Sequence, residues 1–407
     1  MVQRKEYLDQ LIDWKDEQVI KVVTGIRRCG KSTLLMQFQQ WLKEKGVKEE
    51  QIVSVNFEEL EYEDLLEYKK LYQYLKEHLV SGKITYIFLD EIQKVPSFEK
   101  VVDSLYVKPN VDLYITGSNA YMLSGDLATL LTGRYVEIKM LPLSFKEFLS
   151  MTGSEPEQGF PEYLRNGGMP YIAAMNRTNE KVSTYLEGIY NTVIVKDIED
   201  RQARRKSDPS KRKITDIALL KTIAKYLASV IGNPVSVRSI TDYLISNGRK
   251  ISPNTVGDYV EALTESFIFY PAERFDIVGK QLLKANRKMY IVDLGLRNHI
   301  LPRKNYDLGF SLENLVYFEL LRRGYKVTIG KVGNTEVDFV AEKQGAYQYF
   351  QVTADMTAKE TFEREIRPLE NIRDNYEKMI LTMDRLTPGN YNGIQVRYLL
   401  DWLIGTK

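Results

Sequence analysis

Gln18-Val-Ile-Lys-Val-Val-Thr24 runs directly into Gly25-Ile26-Arg27-Arg28-Cys29-Gly30-Lys31-Ser32-Thr33, and then into Leu34-Leu-Met-Gln-Phe-Gln-Gln-Trp-Leu-Lys-Glu-Lys-Gly46. The first run is apolar and β-branched, the third carries its apolar residues at helical spacing, and the loop between them has the pattern GxxxxGK[ST]. Strand, glycine loop and helix in that order make a phosphate cradle. The glycines let backbone N–H groups close on the phosphates, and the new helix aims its positive end at them. Lys31 then reaches the β- and γ-phosphates, and the Ser32 hydroxyl ligates Mg²⁺. This reading makes Gly25, Ile26, Arg27, Arg28, Cys29, Gly30, Lys31, Ser32 and Thr33 the nucleotide-binding segment, with ATP and Mg²⁺ as the cofactors.

A phosphate loop needs an acidic partner to place magnesium and activate water. Ile84-Thr-Tyr-Ile-Phe-Leu-Asp90-Glu91 supplies it, a buried strand ending in paired carboxylates about 60 residues beyond Lys31. Another strand (Ile52-Val-Ser-Val-Asn-Phe57) and a helix over 61–80 fill the interval. Asp90 is expected to hold the Mg²⁺ shell and Glu91 to polarise the attacking water.

The next strand, Val111 to Asn119, ends in hydroxyl and amide side chains. In a parallel sheet such ends face the ligand crevice, so Thr116, Ser118 or Asn119 is expected either to sense the γ-phosphate or orient water, or else to form a turn and helix cap. Arg134, in Leu131-Thr-Gly-Arg134-Tyr, reads either as a surface arginine or as an arginine finger, in its own subunit or a neighbour's. Arg27 and Arg28 add charge beside the phosphates, to meet nucleotide, an acidic partner or water. Cys29 lies by a helix N-terminus and a lysine, conditions that lower a thiol pKa, although a small residue in a tight loop reads the same way.

Composition bounds the rest. With 407 residues, two or three packed units are expected; 43% hydrophobic and 28% charged residues exclude disorder and fibrous repeats. Lys+Arg 57 against Asp+Glu 55 leaves +2, so any polyanion site must be local. One cysteine and two histidines leave no disulfide framework and no zinc cluster. No apolar run is long enough for a membrane span and the first residues lack a signal-peptide core, so a cytoplasmic protein with no membrane partner is expected.

The run Thr24–Thr33, with Phe88-Leu-Asp-Glu-Ile-Gln93, Ile115-Thr-Gly-Ser118, and Leu141-Pro-Leu-Ser-Phe145 with Glu147-Phe148, resembles a large prokaryotic family of AAA-type ATPases close to the archaeal ATPase and STAND group. Its members carry a C-terminal domain of unknown function that resembles restriction endonucleases. The resemblance runs over nearly the whole chain and implies an ATP-binding AAA fold. In the last third, Glu313 on a helix, Asp338 on a strand and Gln351 on the next match three positions of the restriction-endonuclease metal site, whose oxygen ligands suit Mg²⁺. The fourth departs: Thr353 stands where the catalytic lysine belongs, and Lys331 and Lys343 are the nearest substitutes. Nuclease activity is therefore not expected. A degenerate fold used for binding or assembly is favoured over an active nuclease or an unrelated α/β domain.

Between these parts, 152–172 reads as a Gly/Pro-rich junction, a lid or hinge, followed by a helix from Val182 to Ile198. Arg201, Arg204, Arg205, Lys206, Lys211, Arg212 and Lys213 then form a basic run, either a solvated loop or a phosphate-tracking arm on nucleic acid. Three short helices (215–231, 236–244, 252–263) and two strands (266–274, 287–293) predict a winged helix-turn-helix. Its third helix presents Asn254, Thr255 and Asp258, and it serves double-stranded DNA or braces the ATPase. The fold class is α/β: a P-loop ATPase domain with a parallel sheet (1–151), a lid and helical connector (152–214), a winged helix (215–308) and a restriction-endonuclease-like domain (309–407). The expected activity is Mg²⁺-dependent ATP hydrolysis coupled to a DNA-associated C-terminal half. An ATP-controlled switch with negligible turnover and an ATP-licensed nuclease stay open, as do a homo-oligomer and a protein partner.

Overall fold

The computed structural model describes residues 2–118, 131, 133–197, 214, 216–301 and 308–405, with 195–197, 284 and 285 described by backbone alone. The chain divides into two units, 1–142 with 265–267, and 143–264 with 268–407. The basic run 201–213 and Asn119 lie outside the described residues.

In the first unit, helix α1 (Lys5–Asp13) precedes β1 (Ile20–Thr24), α2 (Lys31–Glu44), β2 (Ile52–Asn56), α3 (Tyr68–Glu77), β3 (Thr85–Asp90), α4 (Phe98–Tyr106), β4 (Val111–Gly117) and β5 (Tyr135–Lys139). The strands form one parallel sheet in the order β2-β3-β4-β1-β5. Every residue of β1 and β3 is buried, which is why both read as unbroken apolar runs. The helix expected over 61–80 begins late. Leu60–Leu66 is a 3₁₀ turn because its acidic stretch has no helical apolar stripe, and Tyr62, Leu65 and Leu66 pack against the core from it. Because β4 lies between β1 and β3, three strand ends from distant parts of the sequence meet along one edge of the sheet. That edge borders the crevice where open parallel sheets bind ligands.

The second unit begins with α5 (Phe145–Thr152), α6 (Pro156–Asn166), α7 (Pro170–Ala174) and α8 (Asn179–Asn191), followed by a π turn, Thr192–Asp197. The segment expected as a Gly/Pro-rich junction is thus largely helical. Pro156 and Pro170 occupy first-turn positions where no intrahelical bond is lost, and Gly159 lets α6 approach Leu149 of α5, since a Cβ there would lie 2.5 Å from that side chain.

Then come α9 (Ile217–Ser229), β6 (Pro234–Val235), α10 (Val237–Ser246), α11 (Pro253–Glu265), β7 (Phe269–Asp276), β8 (Gln281–Ile291), α12 (Leu294–Ile300) and α13 (Leu308–Arg322). The unit closes with β9 (Lys326–Val332), β10 (Thr335–Lys343), β11 (Ala346–Thr353), α14 (Lys359–Glu370), β12 (Glu377–Thr382), β13 (Gly389–Tyr391), β14 (Ile394–Tyr398) and α15 (Leu399–Ile404).

The three helices and the hairpin expected of a winged helix are present as elements, but the hairpin does not stand apart. β7 pairs parallel with β9, so β7 and β8 extend a nine-stranded sheet, β13-β14-β12-β11-β10-β9-β7-β8-β6. Gly330, opposite Phe275, makes this join possible, because a Cβ there would sit 2.8 Å from Val337 and 3.0 Å from Ile277. At the centre of the sheet, β9, β10 and β11 form an antiparallel meander, and α14 carries the chain across to β12, parallel to β11.

Candidate functional site

The glycine loop leaves β1 at Thr24 and closes into α2 through three residues with positive φ: Gly25 (147°), Arg28 (64°) and Gly30 (105°). A Cβ on Gly25 would lie 2.1 Å from the carbonyl oxygen of Met140, so no other residue fits that turn. The loop is braced from behind by Arg4, whose guanidinium donates to the Cys29 carbonyl at 3.2 Å and the Leu141 carbonyl at 2.9 Å. Arg4 lies outside every sequence motif; its one signal, a charge just before an apolar helix, is too common to single out.

Lys31 is buried and points back into the loop, donating to the carbonyls of Gly25 (3.1 Å) and Ile26 (3.4 Å). Its ammonium also lies 3.8 Å from Glu91. This is the hand-shaped loop a phosphate would fill, with the lysine resting on the carbonyls that line it.

The carboxylates come from the end of β3. Asp90 is buried; burial pushes its pKa up, while hydrogen bonds from the Ser32 and Thr116 hydroxyls pull it back down. The contact between Asp90 and Ser32 brings together a carboxylate and a hydroxyl suited to a Mg²⁺ shell. Thr116, on the intervening strand, donates to Asp90 and accepts the Glu91 N–H at 2.9 Å. Thr116 thus holds both acids in position.

Glu91 adopts a left-handed backbone (φ 54°), which turns its side chain sharply off the strand. Ser118 donates to its carboxylate at 3.3 Å, and Gln93 donates to both Glu91 and Ser118. Gln93 was not anticipated, although it closes the run Phe88–Gln93.

Three other candidates sit differently from their sequence reading. Arg134 precedes β5 where Ile20 pairs with Tyr135, and its carbonyl accepts the Ile20 N–H at 2.8 Å. It is therefore at the opposite end of β1 from the glycine loop, roughly 16 Å away at about 3.3 Å per residue. There it pairs with Asp103 and covers the Tyr106 ring, so the own-subunit finger is corrected. Arg27 forms an ion pair with Glu58 at 2.8 Å. Cys29 is fully buried and burial raises its thiol pKa, reversing the expectation from the helix N-terminus: desolvation outweighs Lys31 and Arg4.

In the second unit Glu313 and Asp338 do come together, and Gln351 lies beside Asp338, accepting its N–H at 3.3 Å. Asp338 accepts the Val352 N–H at 2.8 Å, and Gln351 donates to Glu365 at 3.1 Å. The group the sequence reading missed is Lys288. From β8 it reaches Glu313 at 2.9 Å and Glu336 at 2.7 Å, with a side chain only 4% exposed. Burial disfavours its charge, but Glu313, Asp338 and Glu336 together hold its pKa above the usual lysine value. Tyr290 donates to the same Glu313 oxygen at 2.5 Å. For Asp338, burial and then the Glu313 charge push the pKa well up. Lys343, one of the substitutes considered, instead donates to the Arg323 carbonyl at 2.7 Å. A cleft of about 540 Å³ lies alongside, lined by Glu336, Gln351 and Glu365 and by Arg364 and Arg367 of α14.

Residues 17–149 match the family model described as an AAA domain, and 157–307 match a domain of unknown function (DUF8612). The chain is 39% identical over 410 residues to an uncharacterized protein of Haemophilus influenzae, covering 99% of each. It is 30% identical over 340 residues to the uncharacterized protein MJ1544 of Methanocaldococcus jannaschii, covering 79% of this chain and 71% of the relative. Among solved structures it is similar to the Walker-type ATPase PABY2304 of Pyrococcus abyssi (TM-score 0.47, 16% identity, 74% of this chain and 96% of that one). It is also similar to the Orc1 protein of Aeropyrum pernix, solved in complex with DNA (TM-score 0.33, 13% identity, 74% and 92%). Among the described residues, no helix is long and apolar enough to cross a membrane.

Proposed function

The chain belongs to the family of these Haemophilus and Methanocaldococcus proteins and carries an AAA domain, and from that premise we propose that it is a Mg²⁺-dependent ATPase whose nucleotide state is coupled to a DNA-associated C-terminal half. The observation that carries the reading is the convergence of Lys31, Ser32, Asp90 and Glu91, from two strand ends separated by a third. In this reading the loop amides and Lys31 bind the phosphates, and Glu91 takes the proton of the attacking water. Ser32 and Asp90 would hold Mg²⁺, which supplies charge neutralisation for the phosphates. Ser118 and Asn119 orient water or sense the γ-phosphate, and Arg134 acts, if as a finger, in a neighbouring copy's site.

The C-terminal reading keeps the winged-helix segment at 215–308 and the restriction-endonuclease-like segment at 309–407, after an ATPase domain at 1–151 and a connector at 152–214. It is supported by the order α13-β9-β10-β11-α14-β12, a helix, a meander and a crossover strand, with Glu313, Asp338 and Gln351 on the first helix and two adjacent strands. DNA contact would run through the basic residues 201–213 and α11, and its affinity would fall with salt.

Lys31→Ala should abolish ATP binding, while Glu91→Gln should bind ATP without turnover; equal turnover in Glu91→Gln removes the residue from the mechanism. Steady-state hydrolysis with and without double-stranded DNA tests the coupling, stimulation being expected. The hold that Ser118, Gln93 and Lys31 exert on Glu91 favours one second reading, an ATP-set conformational switch. A slow rate indifferent to DNA would select it.

A further inference from the structure

The nuclease-like reading implies a divalent cation between Glu313, Asp338 and Gln351, and the residues present do not fit one. One oxygen of each side chain that pattern would offer is already committed. One Glu313 oxygen accepts from both Lys288 (2.9 Å) and Tyr290 (2.5 Å), and Asp338 accepts the Val352 N–H at 2.8 Å. The Gln351 carbonyl accepts the Asp338 N–H at 3.3 Å. Gly232 passes close to the other Glu313 oxygen, where a Cβ in its place would lie 3.1 Å away. Among the described residues, no three His, Cys, Asp or Glu side chains converge as metal ligands.

We propose that the Lys288 ammonium has taken the metal's place, making the C-terminal core a metal-independent module. The inference rests on the nuclease-like reading of that half. An ammonium within hydrogen-bond distance of Glu313 and Glu336 offers three donors and one charge where Mg²⁺ would offer two charges and demand oxygens at about 2.1 Å. It needs no loading and cannot polarise a phosphate as a Lewis acid. It also ties β8 to α13 and β10, so the hairpin and the meander share one fixed cation.

The test uses Mn²⁺ alone on the full chain without nucleotide, in an Asp90→Asn background that silences the ATP site. Bound Mn²⁺ is read by electron paramagnetic resonance, and stability by thermal melting. The parent protein should bind no Mn²⁺ and shift its melting point by less than about 1 °C, whereas Lys288→Met should melt several degrees lower and recover on the order of 2–4 °C with Mn²⁺. If Lys288→Met fails to fold, the charge-balanced Lys288→Met/Glu336→Gln pair replaces it with the same expectation of Mn²⁺ binding. Mn²⁺ bound by the parent and lost in Glu313→Gln or Asp338→Asn would overturn the proposal while leaving the nuclease-like reading in place. Mn²⁺ bound by neither protein would overturn both. Because the measurement is made without nucleotide, neither outcome bears on the ATPase reading of the first unit.

Discussion

The Thr116 hydroxyl donates to the Asp90 carboxylate and accepts the Glu91 N–H, so one residue on β4 holds both acids at the end of β3. Thr116→Val keeps the shape of the strand and removes both bonds. Losing buried hydrogen bonds of this kind costs roughly 1–3 kcal/mol. Mg²⁺-dependent turnover should fall about tenfold or more, with nucleotide binding in the absence of Mg²⁺ little changed, because the glycine loop is untouched. Turnover equal to the parent's would show that Asp90 and Glu91 hold their places without Thr116.

Gln93 donates to Glu91, and replacing it by glutamate keeps the size while turning a donor into a second carboxylate. Two carboxylates at that spacing share a proton. Gln93→Glu should move the acidic limb of the pH–rate profile to higher pH and lower turnover at neutral pH, with Gln93→Asn retaining the parent profile. An unshifted profile in Gln93→Glu would remove the contact from the working enzyme.

Gly25 is the loop position where any side chain collides, 2.1 Å from the Met140 oxygen at a φ of 147°. Gly25→Ala should cost roughly 3 kcal/mol or more and abolish ATP binding. The mild change Gly188→Ala is the control, since a Cβ there meets nothing within 4 Å and the backbone is helical. Equal ATP affinity in the two variants would mean that the loop can reshape around the new methyl group.

Cys29 is buried with its thiol pKa raised, so iodoacetamide should label the native chain slowly and the urea-unfolded chain fast. Fast native labelling that blocks ATP binding would restore the sequence-based reading of a reactive thiol.

Asp293 caps α12 while accepting the Gly168 and Leu296 N–H groups, and burial raises its pKa to about 6 against those bonds. A carboxyl whose folded pKa is raised contributes stability that is fully present below its unfolded value, near 4, and is lost as pH rises through 6. Relative to Asp293→Asn, the parent should lose on the order of 2–3 kcal/mol between pH 4 and 7. A constant difference in melting temperature across that range would contradict the assignment.

What could be read without coordinates was what is contiguous. The phosphate loop is built from successive backbone amides between a strand and a helix, so Gly25 to Thr33 carry their own geometry, and an apolar run ending in Asp90-Glu91 announces a buried parallel strand with acids at its ligand end. The order α13-β9-β10-β11 was legible for the same reason, from periodicity alone. Tertiary structure decided everything that depends on which strands are neighbours. Placing β4 between β1 and β3 made Thr116 a clamp on the acids, and the pairing of β1 with β5 carried Arg134 to the far end of the sheet. The pairing of β7 with β9 drew an expected wing into a nine-stranded sheet and delivered Lys288, 25 residues before Glu313, to a site whose lysine was sought beside Gln351. Sequence periodicity tells which face of an element is buried, but the partner that buries it is chosen by packing over the whole unit, and buried charges pair with whatever the packing brings within reach.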